Sequence, residues 1–132
     1  MSSTNLSSMN LTRAERGAAA ALVLVGTFQL SLAAGAPWGR AAYGGYHPGV
    51  LPTRLRAVSS VAAAVYGTGA ALILSGRGTP GARTRGFTIL SAFMAVGALA
   101  NGASRSPVER ALWTPVTIAA AVCAWRSRSP DH

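Results

Sequence analysis

A chain of 132 residues has room for one small domain; half of it is hydrophobic and 11% is charged, against about a quarter in soluble domains. Twelve arginines, no lysine and three acids (Glu15, Glu109, Asp131) leave a net charge of +9. A single cysteine excludes a disulfide scaffold and the low polarity excludes disorder, which leaves a basic nucleic-acid binder and an apolar membrane protein as competing classes.

The first uncharged stretch, Gly17 to Ala36, is twenty residues long. Thr12-Arg13-Ala14-Glu15 precedes it as a capping box, in which the Thr12 hydroxyl and the Glu15 carboxylate each take one orphan amide of the first turn. Arg13, Arg16 and the small-residue run Ala34-Gly35-Ala36 also fit a signal peptide. The apolar run exceeds the usual h-region of about 7–15 residues, and Pro37 follows directly, so an uncleaved first span over 17–36 is expected. The second stretch, Ala57 to Ser75, spans nineteen residues, and its helix is expected to start near Thr53, after Pro52, giving a span over 55–75. The third, Gly86 to Ala103, spans eighteen. The fourth, Ala111 to Trp125, spans fifteen, and Ser106-Pro107-Val108-Glu109 extends it backward as a second capping box with proline at the first helical position. A span over 107–125 then carries Pro115 in its interior, where a kink is expected. Crossing a hydrocarbon core of about 30 Å takes roughly 17–25 helical residues. The expectation is therefore an all-α fold, a bundle of four transmembrane helices over 13–126. A cytoplasmic arm (1–12) precedes it and a cytoplasmic tail (127–132) follows.

Every arginine falls outside the four uncharged stretches, with Arg110 in the first turn of the fourth span, at the interface. Seven (Arg13, Arg16, Arg77, Arg83, Arg85, Arg126, Arg128) share the side of the termini, and five (Arg40, Arg54, Arg56, Arg105, Arg110) take the other. The positive-inside rule places both termini in the cytoplasm of a cell in whose inner or plasma membrane the chain sits. Cations dealt out in twos and threes along boundaries do not form a nucleic-acid face; they suit anionic lipid head groups, the expected partner.

Ser59, Ala63, Gly67, Ala71 and Ser75 recur every fourth residue of the second helix, and Ala98 and Gly102 repeat the spacing in the third. Such stripes let backbones approach closely, either within one bundle, in a homo-oligomer or against a larger membrane partner. Gln29, in the first span, is expected to hydrogen-bond across helices. The sixteen-residue loop from Pro37 to Pro52 is the distinctive segment. Trp38, Tyr43, Tyr46 and Trp113 read as an interfacial aromatic belt. The alternative is a cap that gathers His47, Arg40, Arg54, Arg105 and Glu109 near Asn101 as a site for an anionic head group or small ligand.

Gly35-Ala36-Pro37-Trp38-Gly39, Gly49-Val50-Leu51-Pro52 and the run from Ser104 to Pro115 resemble patterns in small, uncharacterised bacterial integral membrane proteins of four predicted spans. The resemblance covers most of the chain from about residue 13 and implies architecture without an activity.

No cofactor or metal site is expected, and no catalytic set. Cys123 is unaccompanied, His47 and His132 cannot pair as axial haem ligands, and no carboxylate pair or metal-ligand spacing exists. Small four-span multidrug transporters, similar in length, use a membrane-embedded glutamate, where the first span here has Gln29. Three readings of function follow: an accessory or scaffold subunit packing through its small-residue stripes; a lipid-binding or small-ligand protein or minor transporter using loop 37–52; and a membrane enzyme with His47 and Glu109 as acid and base.

Overall fold

A computed structural model describes residues 10–128. Most of the expected N-terminal arm and the end of the tail, Asp131 and His132 included, lie outside the described residues. Within them the chain forms four helices and no strand: α1 (Arg13–Ala33), α2 (Thr53–Ser75), α3 (Pro80–Gly102) and α4 (Pro107–Arg126). Two 3-10 turns, Gly39–Ala41 and Tyr43–Gly45, lie between α1 and α2.

The capping box at α1 is complete: the Glu15 amide donates to Thr12 Oγ1 and the Thr12 amide to Glu15 Oε1, both at 3.0 Å. α2 begins at Thr53 behind Pro52 and ends at Gly76, whose φ of 66° gives the left-handed close that a side chain would resist. Two expected boundaries shift. α1 stops at Ala33, not Ala36, where the Arg56 guanidinium reaches back from α2 and donates to the Ala33 carbonyl at 3.1 Å. α3 starts six residues before Gly86, because Thr79 caps the Ala82 amide at 3.1 Å and Pro80 takes the first helical position. Arg83 and Arg85 are therefore helical residues of α3, as Arg54 and Arg56 are of α2. These four arginines belong to helix ends rather than to loops. α4 runs through Pro115 as one helix.

α1 packs along α2 and α4, and α3 packs along α4, while α2 and α3 have no extended contact. The bundle is two helical hairpins joined along α1 and α4, open on the side between α2 and α3. There Tyr66 and Phe93 face one another at 6.4 Å between ring centroids. The core is built of alanines with a few larger apolar residues: Ala18, Ala19 and Leu22 of α1, Ala70 and Ile73 of α2, Phe87 and Met94 of α3, Ala120 and Ala124 of α4. Ser91 Oγ ties α3 to the Ala121 carbonyl of α4 at 2.8 Å.

The outward surface is apolar as well: Val61, Leu72, Ile89 and Leu99 are between 63% and 75% exposed. α1 and α2 are long and apolar enough to cross a membrane. α3 and α4 match them in length, at 23 and 20 residues, but fall short of them in apolar content over a spanning length. The α2 stripe is used only at its start. Ser59 is buried and Ala63 half-buried, and a Cβ on Gly26 would come within 3.7 Å of the Gly67 amide, so α1 and α2 cross closely there. Gly67, Ala71 and Ser75 are exposed. Ala98 is half-buried, and Gly102 lies near Thr114 of α4.

Candidate functional site

The loop from Pro37 to Pro52 closes one end of the bundle. It first binds itself: the Gly39 amide donates to the Gly49 carbonyl at 2.9 Å. A Cβ at Gly39 would lie 1.7 Å from the His47 carbonyl oxygen, so only glycine permits this closure. The loop then binds the helices. Trp113 Nε1 of α4 donates to the Ala41 carbonyl at 2.9 Å, and the Tyr43 hydroxyl and Ser59 Oγ of α2 share a bond of 2.9 Å. Ser106 Oγ donates to the Arg40 carbonyl. Beneath, Leu32, Ala42 and Leu51 make a small second core, with Phe28 and Leu55 against it. Trp38 stacks on Phe28 at 6.1 Å and 8°, and Phe28 leans on Trp113 at 4.6 Å. The loop thus lies over this end of the bundle as a cap, bonded to α2 and α4.

The backbone at the cap's centre is unusual. Tyr43, Gly44 and Gly45 all have positive φ, at 50°, 74° and 76°. The two glycines adopt this freely, whereas Tyr43 does so against its own Cβ, held by the Ser59 bond. The turn aims the Gly44 amide at Glu109, whose Oε2 accepts it at 3.0 Å.

This contact changes the role expected of Glu109. Ser106 caps α4 as anticipated, its Oγ accepting the Glu109 amide at 3.2 Å. The return half of the box does not form, because the Ser106 amide donates to Ser104 Oγ at 3.1 Å instead. With that donor taken, the Glu109 carboxylate turns inward to the cap.

Under the cap lies a cavity of about 290 Å³ that all four helices help to line. Its walls are aromatic at Phe28, Tyr66, Phe93 and Trp113, and polar at Gln29, Tyr43, Asn101, Glu109 and Thr117. No arginine lines it. Gln29 does not make the interhelical bond expected of it: its Oε1 is buried without a hydrogen-bond partner.

The residues named from sequence divide into two groups. Tyr43, Asn101, Glu109 and Trp113 meet at the cavity, with Trp38 stacked on Phe28 beside it. Arg40, Tyr46, His47, Arg54 and Arg105 are exposed outside it, so the anticipated cationic gathering around Glu109 does not occur. The arginines have other partners. Arg105 Nη1 donates to the Tyr46 hydroxyl at 3.1 Å with its guanidinium over the Tyr46 ring, and Arg110 Nη1 donates to the Ser104 carbonyl at 2.6 Å. The hydrogen bond to Tyr46, and then its field, hold the Arg105 pKa above its ordinary value. His47 and Glu109 do not face a common space, which removes the geometry for an acid–base pair. Among the described residues no three His, Cys, Asp or Glu side chains group as metal ligands.

Phe28, Tyr66, Phe93 and Met94 also line the site and were not anticipated from the sequence. No protein-family model matches the chain, nor does any curated protein or solved structure.

Proposed function

We propose that the chain is a four-span protein of the inner or plasma membrane, with both termini cytoplasmic, that binds a small molecule in the cavity beneath its cap. It would then stand with the small bacterial four-span proteins it resembles. Apolar side chains face outward on every helix, and a bilayer is the solvent that suits them. The arginines at the ends of α3 and α4 can snorkel to the interface, which lets these helices span beside α1 and α2.

The observation that carries the ligand reading is the polar content of the cavity. The cavity sets a glutamine oxygen without a partner and a carboxylate in one aromatic-walled space. Its volume of about 290 Å³ sits at the low end of small-molecule sites. Ala100 is exposed and lines the cavity, so Ala100→Phe fills the space without disturbing the core. Native mass spectrometry from mild detergent should show a small molecule on the wild type and none on this variant; equal retention by both would refute the reading. The topology has its own test in a Cys123→Ala background. Ala103→Cys should react with an impermeant thiol reagent in intact cells, and Arg77→Cys only after permeabilisation. Both cysteines labelled only after permeabilisation would leave α3 and α4 on the inner side and refute four spans.

A second reading, an accessory subunit, draws on α2. Gly67 and Ala71 are exposed and line a groove between α1 and α2, as an intermolecular helix contact requires. Ala71→Leu should change the mass of the detergent-solubilised assembly if that contact exists.

A further inference from the structure

The described residues include two carboxylates, and only one has a counter-charge. Glu15 pairs with Arg83 at 2.5 Å, the single ion pair among the described residues. Glu109 is 9% exposed and has no cation within 4.0 Å among the described residues. Scarcity does not explain this, since the chain has twelve arginines and two of them, Arg105 and Arg110, lie within four positions of Glu109. Both guanidiniums point away, to Tyr46 and to the Ser104 carbonyl. The one bond that Glu109 accepts among the described residues is from the neutral Gly44 amide. A buried carboxylate with no opposite charge is costly in a low-dielectric setting. Such a group is relieved by a proton or by a cation brought from outside.

The surroundings indicate which cation. The rings of Phe28, Tyr66, Phe93 and Trp113 line the same cavity, and aromatic faces attract a diffuse positive charge that has been stripped of water. Gln29 Oε1 adds an acceptor with no donor of its own. A hydrated metal ion would find a single carboxylate here and mostly hydrocarbon, whereas an ammonium on an apolar body would match both. The gap between α2 and α3, where Phe93 is 58% exposed, gives such a molecule a lateral way in.

We infer that the cavity beneath the cap binds a monovalent organic cation, an ammonium carried on an aromatic or branched apolar body, with Glu109 as its counter-charge. The inference rests on the ligand-binding reading above and names its chemical class.

The test compares two probes of one shape. Benzyltrimethylammonium and neopentylbenzene differ only in a nitrogen replaced by carbon. Each is titrated calorimetrically into the full chain in nanodiscs of neutral phosphatidylcholine, with empty discs as the blank. The wild type should bind the cation at least about tenfold more tightly than the neutral isostere. Glu109→Gln should bring the two affinities together, chiefly by weakening the cation. Phe93→Ala, a change at the exposed mouth of the cavity, should weaken the cation more than the isostere. Equal binding of the two probes to the wild type would overturn the cation inference and leave the cavity reading standing. Binding of neither would overturn both. Because the central comparison is made on the wild-type chain, it does not depend on any variant folding.

Discussion

At Thr12 and at Ser106 the chain sets a hydroxyl at the N-cap and a glutamate three residues on, yet the two carboxylates finish in opposite surroundings. At the termini end, Glu15 returns to the Thr12 amide and takes Arg83 of α3 as its ion pair, which fastens α1 to α3. Arg83 also lies over the Phe87 ring at 5.3 Å and donates to the Arg77 carbonyl at 2.9 Å, so that end is closed by mutual satisfaction. At the cap end, Ser104 intercepts the Ser106 amide, and the freed Glu109 carboxylate meets the loop and the cavity. One motif therefore serves structure at one end and, on the reading proposed here, recognition at the other. The deciding atom is a serine hydroxyl two residues before the cap.

The comparison can be broken most forcefully at the cap. Gly39→Ala drives a methyl into the His47 carbonyl, and its cost should reach about 3 kcal/mol or more, measured by thermal unfolding in mild detergent. Gly67→Ala is the matched control, an exposed helical glycine with nothing within 4 Å of its added carbon, and should be neutral or stabilising by up to about 1 kcal/mol. Next in size is Trp113→Phe, which keeps a ring against Phe28 but removes the bond to Ala41, a loss of about 0.6–1.7 kcal/mol. Smallest are the two carboxylates, and here the sign carries the information. Glu15→Gln keeps a capping side chain but loses the ion pair, costing up to about 1 kcal/mol and less in high salt. On chain freed of bound ligand, Glu109→Gln removes a buried carboxylate that no described side chain pairs, so stability should hold within about 0.5 kcal/mol or rise. A loss at Glu109 larger than that at Glu15 would erase the distinction between the two ends.

Much of the frame was legible in the sequence because its signals are local. The Thr12 box, Pro52 before α2 and the Ser106-Pro107 start lie where the helices begin. The start of α3 was legible too, in Thr79-Pro80, but tracing the charge-free run hid it: the run stops at Arg85, whereas a helix accepts arginines in its first turns. The loop stood out by composition, and Tyr43, Asn101, Glu109 and Trp113 do meet beneath it. The rest depends on tertiary contacts. Whether Ser106 closes a capping box turns on Ser104, and whether Arg105 faces Glu109 turns on the competing Tyr46 hydroxyl. Phe28 and Phe93 could not be told from lipid-facing aromatics, because each helix is apolar nearly all round and no periodicity marks the inward face.

The difference between the two acids is tested most directly by native mass spectrometry of the wild type, Glu15→Gln and Glu109→Gln, prepared from membranes under the same mild detergent. The account predicts one small cationic molecule per chain on the wild type and on Glu15→Gln, and none on Glu109→Gln. A molecule retained equally by all three chains, or released by Glu15→Gln as readily as by Glu109→Gln, would contradict it.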